Sequence, residues 1–242
     1  MIKNLLLFMI VTSLIHQLNA QSDTLENNVF GGFVIAPIEF PIIDNQEINS
    51  KLYELGYPPS DYPVATIGIG FQLYSNRWIS TLSFNKTTKR NSNEDYLYEV
   101  EYRSTSFNLG YDLTKNHRYS IYPFFGLKGI SLNYQYRETQ SNDEISFDEY
   151  FDSDLEYKEI THSRMNLDLG VGFSYQWFFL INLRAGYLFP IEEEKWKINN
   201  NQTQLNNTTS LDYNYYFTLT IGLGGVYSNQ EVRKHFDRSN EL

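Results

Sequence analysis

From Met165 to Trp177 the chain alternates between two kinds of residue without a break. Met165, Leu167, Leu169, Val171, Phe173, Tyr175 and Trp177 share one face of an extended strand, and Asn166, Asp168, Gly170, Gly172, Ser174 and Gln176 share the other. The apolar face ends in an aromatic pair, and the small polar face carries no Lys or Glu. A strand with lipid outside and a narrow polar lumen inside satisfies both faces.

The same alternation recurs along the chain. Val29 to Phe40 is the first candidate strand; its facing is ambiguous because Gly31 and Gly32 break the pattern, and Pro37 and Pro41 are expected to end it. A helix signature follows, with Asp44 as N-cap, Glu47 three residues on, Ile43 and Ile48 as a staple pair, and Ile48, Leu52 and Leu55 on one face. Gly56 and Pro58-Pro59 stop it. These signals predict a short amphipathic helix from Asn45 to Leu55 in the first long loop, either packed over the barrel mouth or touching a partner or lipid.

Tyr62 to Tyr74 directs Ile67, Ile69, Phe71 and Leu73 outward, with Thr66, Gly68, Gly70 and Gln72 inward. Ser75-Asn76-Arg77 reads as a tight turn. Trp78, Ser80, Leu82 and Phe84 face out on the return, and Thr87 to Asp95 reads as a charged connection. In Leu97 to Leu113, Phe107, Leu109, Tyr111 and Leu113 face out, but Glu99, Glu101 and Arg103 continue the same face. Charges there are intolerable in hydrocarbon, so that part must stand above the membrane. After a short turn, Thr114 to Arg118, the strand Tyr119 to Tyr136 directs Ile121, Phe125 and Leu127 outward and Lys128 inward. Arg137 to Glu159 is a long acidic loop. Phe178 marks a turn almost without length, and Phe179 to Phe189 returns with Asn182, Arg184 and Gly186 inside. Glu192 to Thr209 reads as a polar, Asn-rich loop, and Tyr215 to Tyr227 is the final strand, with Thr218, Thr220, Gly222 and Gly224 inside.

The pattern predicts an all-β protein: an eight-stranded antiparallel up-and-down transmembrane β-barrel with a short helix in the first outer loop. Long and short connections alternate, as in barrels with short periplasmic turns and longer outside loops. Lys3, the apolar run Leu5 to Ile15 and Leu18-Asn19-Ala20 read as a secretory signal over residues 1–20, leaving a barrel domain over 21–228 and a short periplasmic tail over 229–242. The apolar run is too short for a spanning helix. There is no cysteine, hence neither a disulfide framework nor a lipidated cysteine. Aromatics make up 17% of the residues, which suits rings gathered at two membrane interfaces. The mean hydropathy of -0.44 is no objection, because such strands expose apolar groups at only every second position.

Leu109-Gly110-Tyr111, Gly186-Tyr187-Leu188 and a last strand ending at Tyr227 carry a resemblance to the small eight-stranded outer-membrane β-barrel proteins, the outer membrane protein beta-barrel domain family. The resemblance implies a bacterial outer-membrane location, outer-membrane lipid and lipopolysaccharide as surroundings, and the barrel assembly machinery as a partner in biogenesis. In that group a terminal aromatic looks like an assembly signal; here Ser228 to Leu242 follow Tyr227.

Four inward residues, Asp112, Lys128, Asp168 and Arg184, are candidates for a polar network across the lumen, since buried charges need partners; a gated ion path is the alternative. In the third loop, Asp148, Glu149, Asp152 and Asp154 form a candidate divalent-cation loop, although the spacing lacks the glycine and terminal Glu of an EF-hand. His162 and Ser163 are adjacent on a strand and point to opposite faces, so they are not expected to share a proton. His117 and His235 are too distant in the topology to join His162 at a metal site. No catalytic residue, metal or cofactor is therefore assigned. A formal charge of -10 excludes nucleic acid. The expected role is structural or surface interaction, with a partner held by the outer loops; a narrow transport channel for small solutes and a soluble lipocalin-like binder of apolar ligands are the alternatives. In mild detergent, the unboiled mature chain should migrate on a gel as a compact form distinct from the boiled one. Identical mobilities, with the chain in the soluble fraction, would refute the facing argument.

Overall fold

The computed structural model describes residues 29–54, 59, 65–92, 96–114, 118–138, 157–191, 195–198, 203–204 and 212–228. Residues 1–20, the tail 229–242, the loop carboxylates Asp148, Glu149, Asp152 and Asp154, and His117 and His235 lie outside them.

The elements in order are β1 (Val29–Asp44), α1 (Gln46–Glu54), β2 (Thr66–Ser75), β3 (Trp78–Ser92), β4 (Tyr96–Tyr111), β5 (Tyr119–Glu138), β6 (Tyr157–Gln176), β7 (Phe179–Pro190), β8 (Lys195–Ile198), β9 (Thr203–Gln204) and β10 (Asp212–Ser228). The sheet runs β5-β4-β3-β2-β1-β10-β7-β6, and β5 also pairs with β6, which closes an eight-stranded antiparallel up-and-down barrel. Among the described residues, closure leaves none of the eight strands with an open edge facing lipid.

Facing follows the alternation. On β6, Met165, Leu167, Leu169, Val171 and Phe173 are exposed on the outside, while Asn166, Asp168 and Ser174 are fully buried inside. Exposed apolar residues continue around the wall, including Ile67, Phe71, Ile121, Phe125, Leu183, Phe217 and Ile221. On β1 the ambiguity resolves with Phe33, Ile35 and Glu39 inside and Val34 and Phe40 outside. The turn Asn76–Arg77 joins β2 to β3, with Ser75 opposite Trp78 and Asn76 in the left-handed region at φ 56°, which Asn tolerates better than most residues.

Four expectations are corrected. Pro37 and Pro41 do not end β1, which runs to Asp44; the pairing with β2 instead skips Ala36 and Pro37, passing from Ile35 opposite Gly70 to Ile38 opposite Ile67. A missing N–H therefore interrupts the ladder locally without ending the strand. Thr87 to Asp95 is not a connection as a whole, because β3 continues to Ser92 and stays paired with β4 as far as Ser92 opposite Leu97. Glu192 to Thr209 contains two short strands, β8 and β9, and β8 pairs with the upper part of β6. The predicted inward Gly224 is exposed.

The helix occupies the expected place. Asp44 Oδ1 accepts a hydrogen bond from the Gln46 backbone N–H at 3.0 Å, a cap worth about 1 kcal/mol. Leu52 joins the buried apolar cluster of the interior, and Ile43 and Ile48 pack against it, so the apolar face of α1 covers the barrel.

Toward the long-loop end, the two faces of β4 and β5 exchange character without any slip in register. Tyr98, Val100 and Tyr102 are buried inside on β4, and Ile130, Leu132, Tyr134 and Tyr136 on β5. Outside, Lys86 Nζ lies 2.8 Å from Glu101, Arg103 also bonds Glu101, and Arg90 bonds Glu99. This is the facing of a barrel in water. Partial burial pushes the Glu101 carboxyl up, but hydrogen bonds and positive charge from Lys86 and Arg103 outweigh it and hold the group below the usual carboxylate range. A lowered folded-state pKa stabilises the fold above the ordinary carboxylate value of about 4.3, and that stabilisation is lost as pH falls through the lower folded value. The melting temperature in detergent should therefore fall below about pH 4, and Glu101→Gln should remove part of that acid-dependent fall. A variant with the full wild-type acid profile would show that Glu101 contributes nothing to it.

Candidate functional site

The inward side chains meet across the lumen at three levels. Nearest the short turns, Tyr122 OH donates to Asn182 Oδ1 (2.8 Å), Asn182 Nδ2 donates to Gln72 Oε1 (2.9 Å), Gln72 Nε2 donates to Tyr74 OH, and Tyr74 OH lies 3.2 Å from Ser174 Oγ. This chain joins β5, β7, β2 and β6. Glycines make room for the rings: a Cβ on Gly172 would collide with Tyr122, and one on Gly186 with Tyr216.

The middle level carries the charges. Lys128 Nζ is 2.7 Å from Glu39 Oε2, with side-chain exposures of only 1% and 3%. Tyr102 OH donates to the other Glu39 oxygen at 2.8 Å. The Lys128 ammonium also sits over the Tyr216 ring, 3.5 Å from its centre, and the Tyr216 hydroxyl reaches both oxygens of Asp168 at 2.8 and 2.7 Å. Asn108 Nδ2 completes the Asp168 shell at 2.7 Å. The result is one connected path, Tyr102–Glu39–Lys128–Tyr216–Asp168–Asn108, drawn from β4, β1, β5, β10 and β6.

The upper level is aromatic. His162 and Trp196 are directly opposite on β6 and β8, with ring centres 4.8 Å apart, and Tyr213 OH lies 3.3 Å from His162 Nδ1. Tyr134 packs against Trp196 at 5.9 Å, and the Arg164 guanidinium lies over the Tyr213 ring at 3.9 Å. His162 is fully buried, whereas Ser163 is on the outer surface.

All four candidate lumen residues are buried, but they do not pair with one another as ions. Among the described residues, Lys128 and Asp168 are linked through Tyr216. Asp112 lies at the lower rim, where its carboxylate accepts from the Thr114 backbone N–H (2.9 Å), the Thr114 hydroxyl (2.8 Å) and Ser120 Oγ (3.2 Å). Arg184 faces the Phe124 ring at 5.7 Å, and its Nε and Nη1 have no hydrogen-bond partner among the described residues. The residue that sequence reasoning missed is Glu39. Its signal is a lone carboxylate in phase with Phe33 and Ile35 on the inner face of an apolar strand.

The family profile described as "Outer membrane protein beta-barrel domain" matches residues 19–195. The chain belongs to that family. It is a barrel of the bacterial outer membrane. Similar solved structures include the attachment invasion locus protein Ail of Yersinia pestis (15% identity, 84% of this chain and 100% of that one, TM-score 0.40). They also include a major outer membrane protein of Thermus thermophilus (10%, 82% and 99%, TM-score 0.47) and OprG of Pseudomonas aeruginosa (13%, 83% and 96%, TM-score 0.41). No curated protein matches the sequence. The soluble alternative needs its apolar face inside and charges outside along the whole wall, and the exposed apolar belt of this outer-membrane barrel excludes it.

Deleting one member of the central ion pair strands the other in a low-dielectric interior. Lys128→Met should destabilise the barrel to urea by about 3–5 kcal/mol, and adding Glu39→Leu should recover most of that loss. Failure of the double variant to recover would show that Glu39 is solvated or paired elsewhere.

Proposed function

We propose that this barrel is a structural or surface-interaction component of the outer membrane, with a filled lumen, no catalytic role and specificity in the connections at its long-loop end. The observation that supports this best is the set of bonds between strands that are not neighbours in the wall: Glu39 on β1 to Lys128 on β5, Tyr122 on β5 to Asn182 on β7 and Asn108 on β4 to Asp168 on β6 occupy the space that a passing solute would need. An eight-stranded barrel has room for little else. In this reading residues 1–20 are a cleaved signal, 21–228 the mature barrel and 229–242 a short periplasmic tail. Lipopolysaccharide surrounds the belt, the barrel assembly machinery inserts the chain, and an extracellular partner engages the loops. Asp148, Glu149, Asp152 and Asp154 are the place where divalent ions would bridge the third loop to neighbouring lipopolysaccharide phosphates.

The rival is a narrow channel for small solutes, favoured by the buried charges of Lys128, Asp168 and Arg184. Planar-bilayer recordings of the purified barrel separate the two. The filled-lumen reading expects a flat baseline at all voltages, whereas discrete steps whose ion preference changes in Lys128→Gln would establish the channel instead.

A further inference from the structure

The lipid-facing belt is not the same height all the way round. On β7 the outward residues are apolar from Phe179 to Ile191, and the two-residue turn below them is Trp177–Phe178, with both rings about 60% exposed. On β3, four strands away and therefore on the opposite wall, outward residues without charge run only from Trp78 to Phe84, with Arg77 in the turn below and Lys86 above. At about 3.3 Å per residue and a strand tilt of about 40°, the belt stands about 30 Å tall on β7 and about 15 Å on β3, against the ~25 Å usual for such barrels.

The short side cannot be lengthened by its own side chains. A lone Lys86 would snorkel and let hydrocarbon rise past it, but its ammonium is held 2.8 Å from Glu101, which also bonds Arg103, with the Arg90–Glu99 pair above. Drawing this ladder into hydrocarbon would immerse five charged groups. Tilting the barrel raises one wall against the other without changing the height of the belt on either. A span shorter than the hydrocarbon is met by thinning of the bilayer. We infer that the barrel thins the outer membrane along its β3–β4 wall while matching it along β7, so that lipids of two lengths border one protein.

The chain has no cysteine, so single cysteines report cleanly. Phe84→Cys and Ala185→Cys stand equally far above the lower ends of β3 and β7, and Ser80→Cys marks the lower part of β3. Each variant, shown folded by its heat-dependent gel shift, is spin-labelled in palmitoyl-oleoyl phosphatidylcholine vesicles, and its depth is read from oxygen against nickel-chelate accessibility. Thinning predicts that position 185 lies at mid-bilayer, while positions 80 and 84 both lie near an interface, with nickel accessibility severalfold above that at 185. Equal mid-bilayer depth at 84 and 185 would overturn the inference. So would an interfacial 84 with 80 about 10 Å or more from either interface, because the wall would then be displaced and the bilayer unthinned. Trp78 gives a label-free check in Trp177→Phe/Trp196→Phe: brominated chains should quench it most when the bromine is near the headgroup, and strongest quenching by mid-chain bromine would also overturn the inference.

Discussion

An amide in hydrocarbon has no water to turn to, and the hydrogen-bonded closure of the wall is the condition on which every other feature of this molecule rests. The longest seam is β5 against β6, paired from Tyr119 opposite Tyr175 to Arg137 opposite Tyr157. Once eight strands are curled into a ring, their inward side chains have nowhere to go but toward one another. The polar network is therefore a consequence of closure. Gln72, Asn108, Ser174 and Asn182 are small or planar enough to interlock, and inward glycines such as Gly172 and Gly186 give up their side-chain volume so that the Tyr122 and Tyr216 rings can lie over the neighbouring strand and reach the one beyond it.

The strands then pass from one solvent to another. Below Arg103 the outside of β4 is apolar and the inside polar; above it, Glu99 and Glu101 are outside, and Tyr98, Val100 and Tyr102 inside. No bulge is needed, because the pleat keeps its phase and only the residue types exchange. The upper barrel can thus carry an apolar core of its own, to which α1 adds Leu52 and β8 adds Trp196. A polar middle beneath an aromatic cap is what two solvents impose on one continuous sheet.

Much of this was legible in the sequence because a period of two, held over many residues, leaves little choice of face. The facing of β6, the Asn76 turn, the Asp44 cap and the exit of β4 from the membrane at Arg103 all rest on such local signals. The prolines of β1 misled because a missing N–H was read as the end of a strand, when a locally skipped ladder sufficed. The glycines beside them hid the phase that places Glu39 inside, and with it the partner of Lys128. Trp196 was hidden differently: β8 is four residues long, and it holds its place by pairing with β6, which no local pattern reveals. Of the four charged or polar lumen candidates, burial could be read from parity, but partnership could not, since it depends on which heights the strand tilt brings opposite each other.

Glu39 and Lys128 come from β1 and β5, which face each other across the barrel, and the ring over which Lys128 rests belongs to β10, the last of the described strands. Until the first and last strands lie side by side, this ammonium has neither its carboxylate nor its aromatic neighbour. A barrel left ajar would hold a naked charge among apolar and amide groups, relieved only when the wall shuts. Side-chain electrostatics in the lumen thereby make shutting the wall an all-or-none event, so that partly closed forms are penalised from within as well as by their unpaired edges.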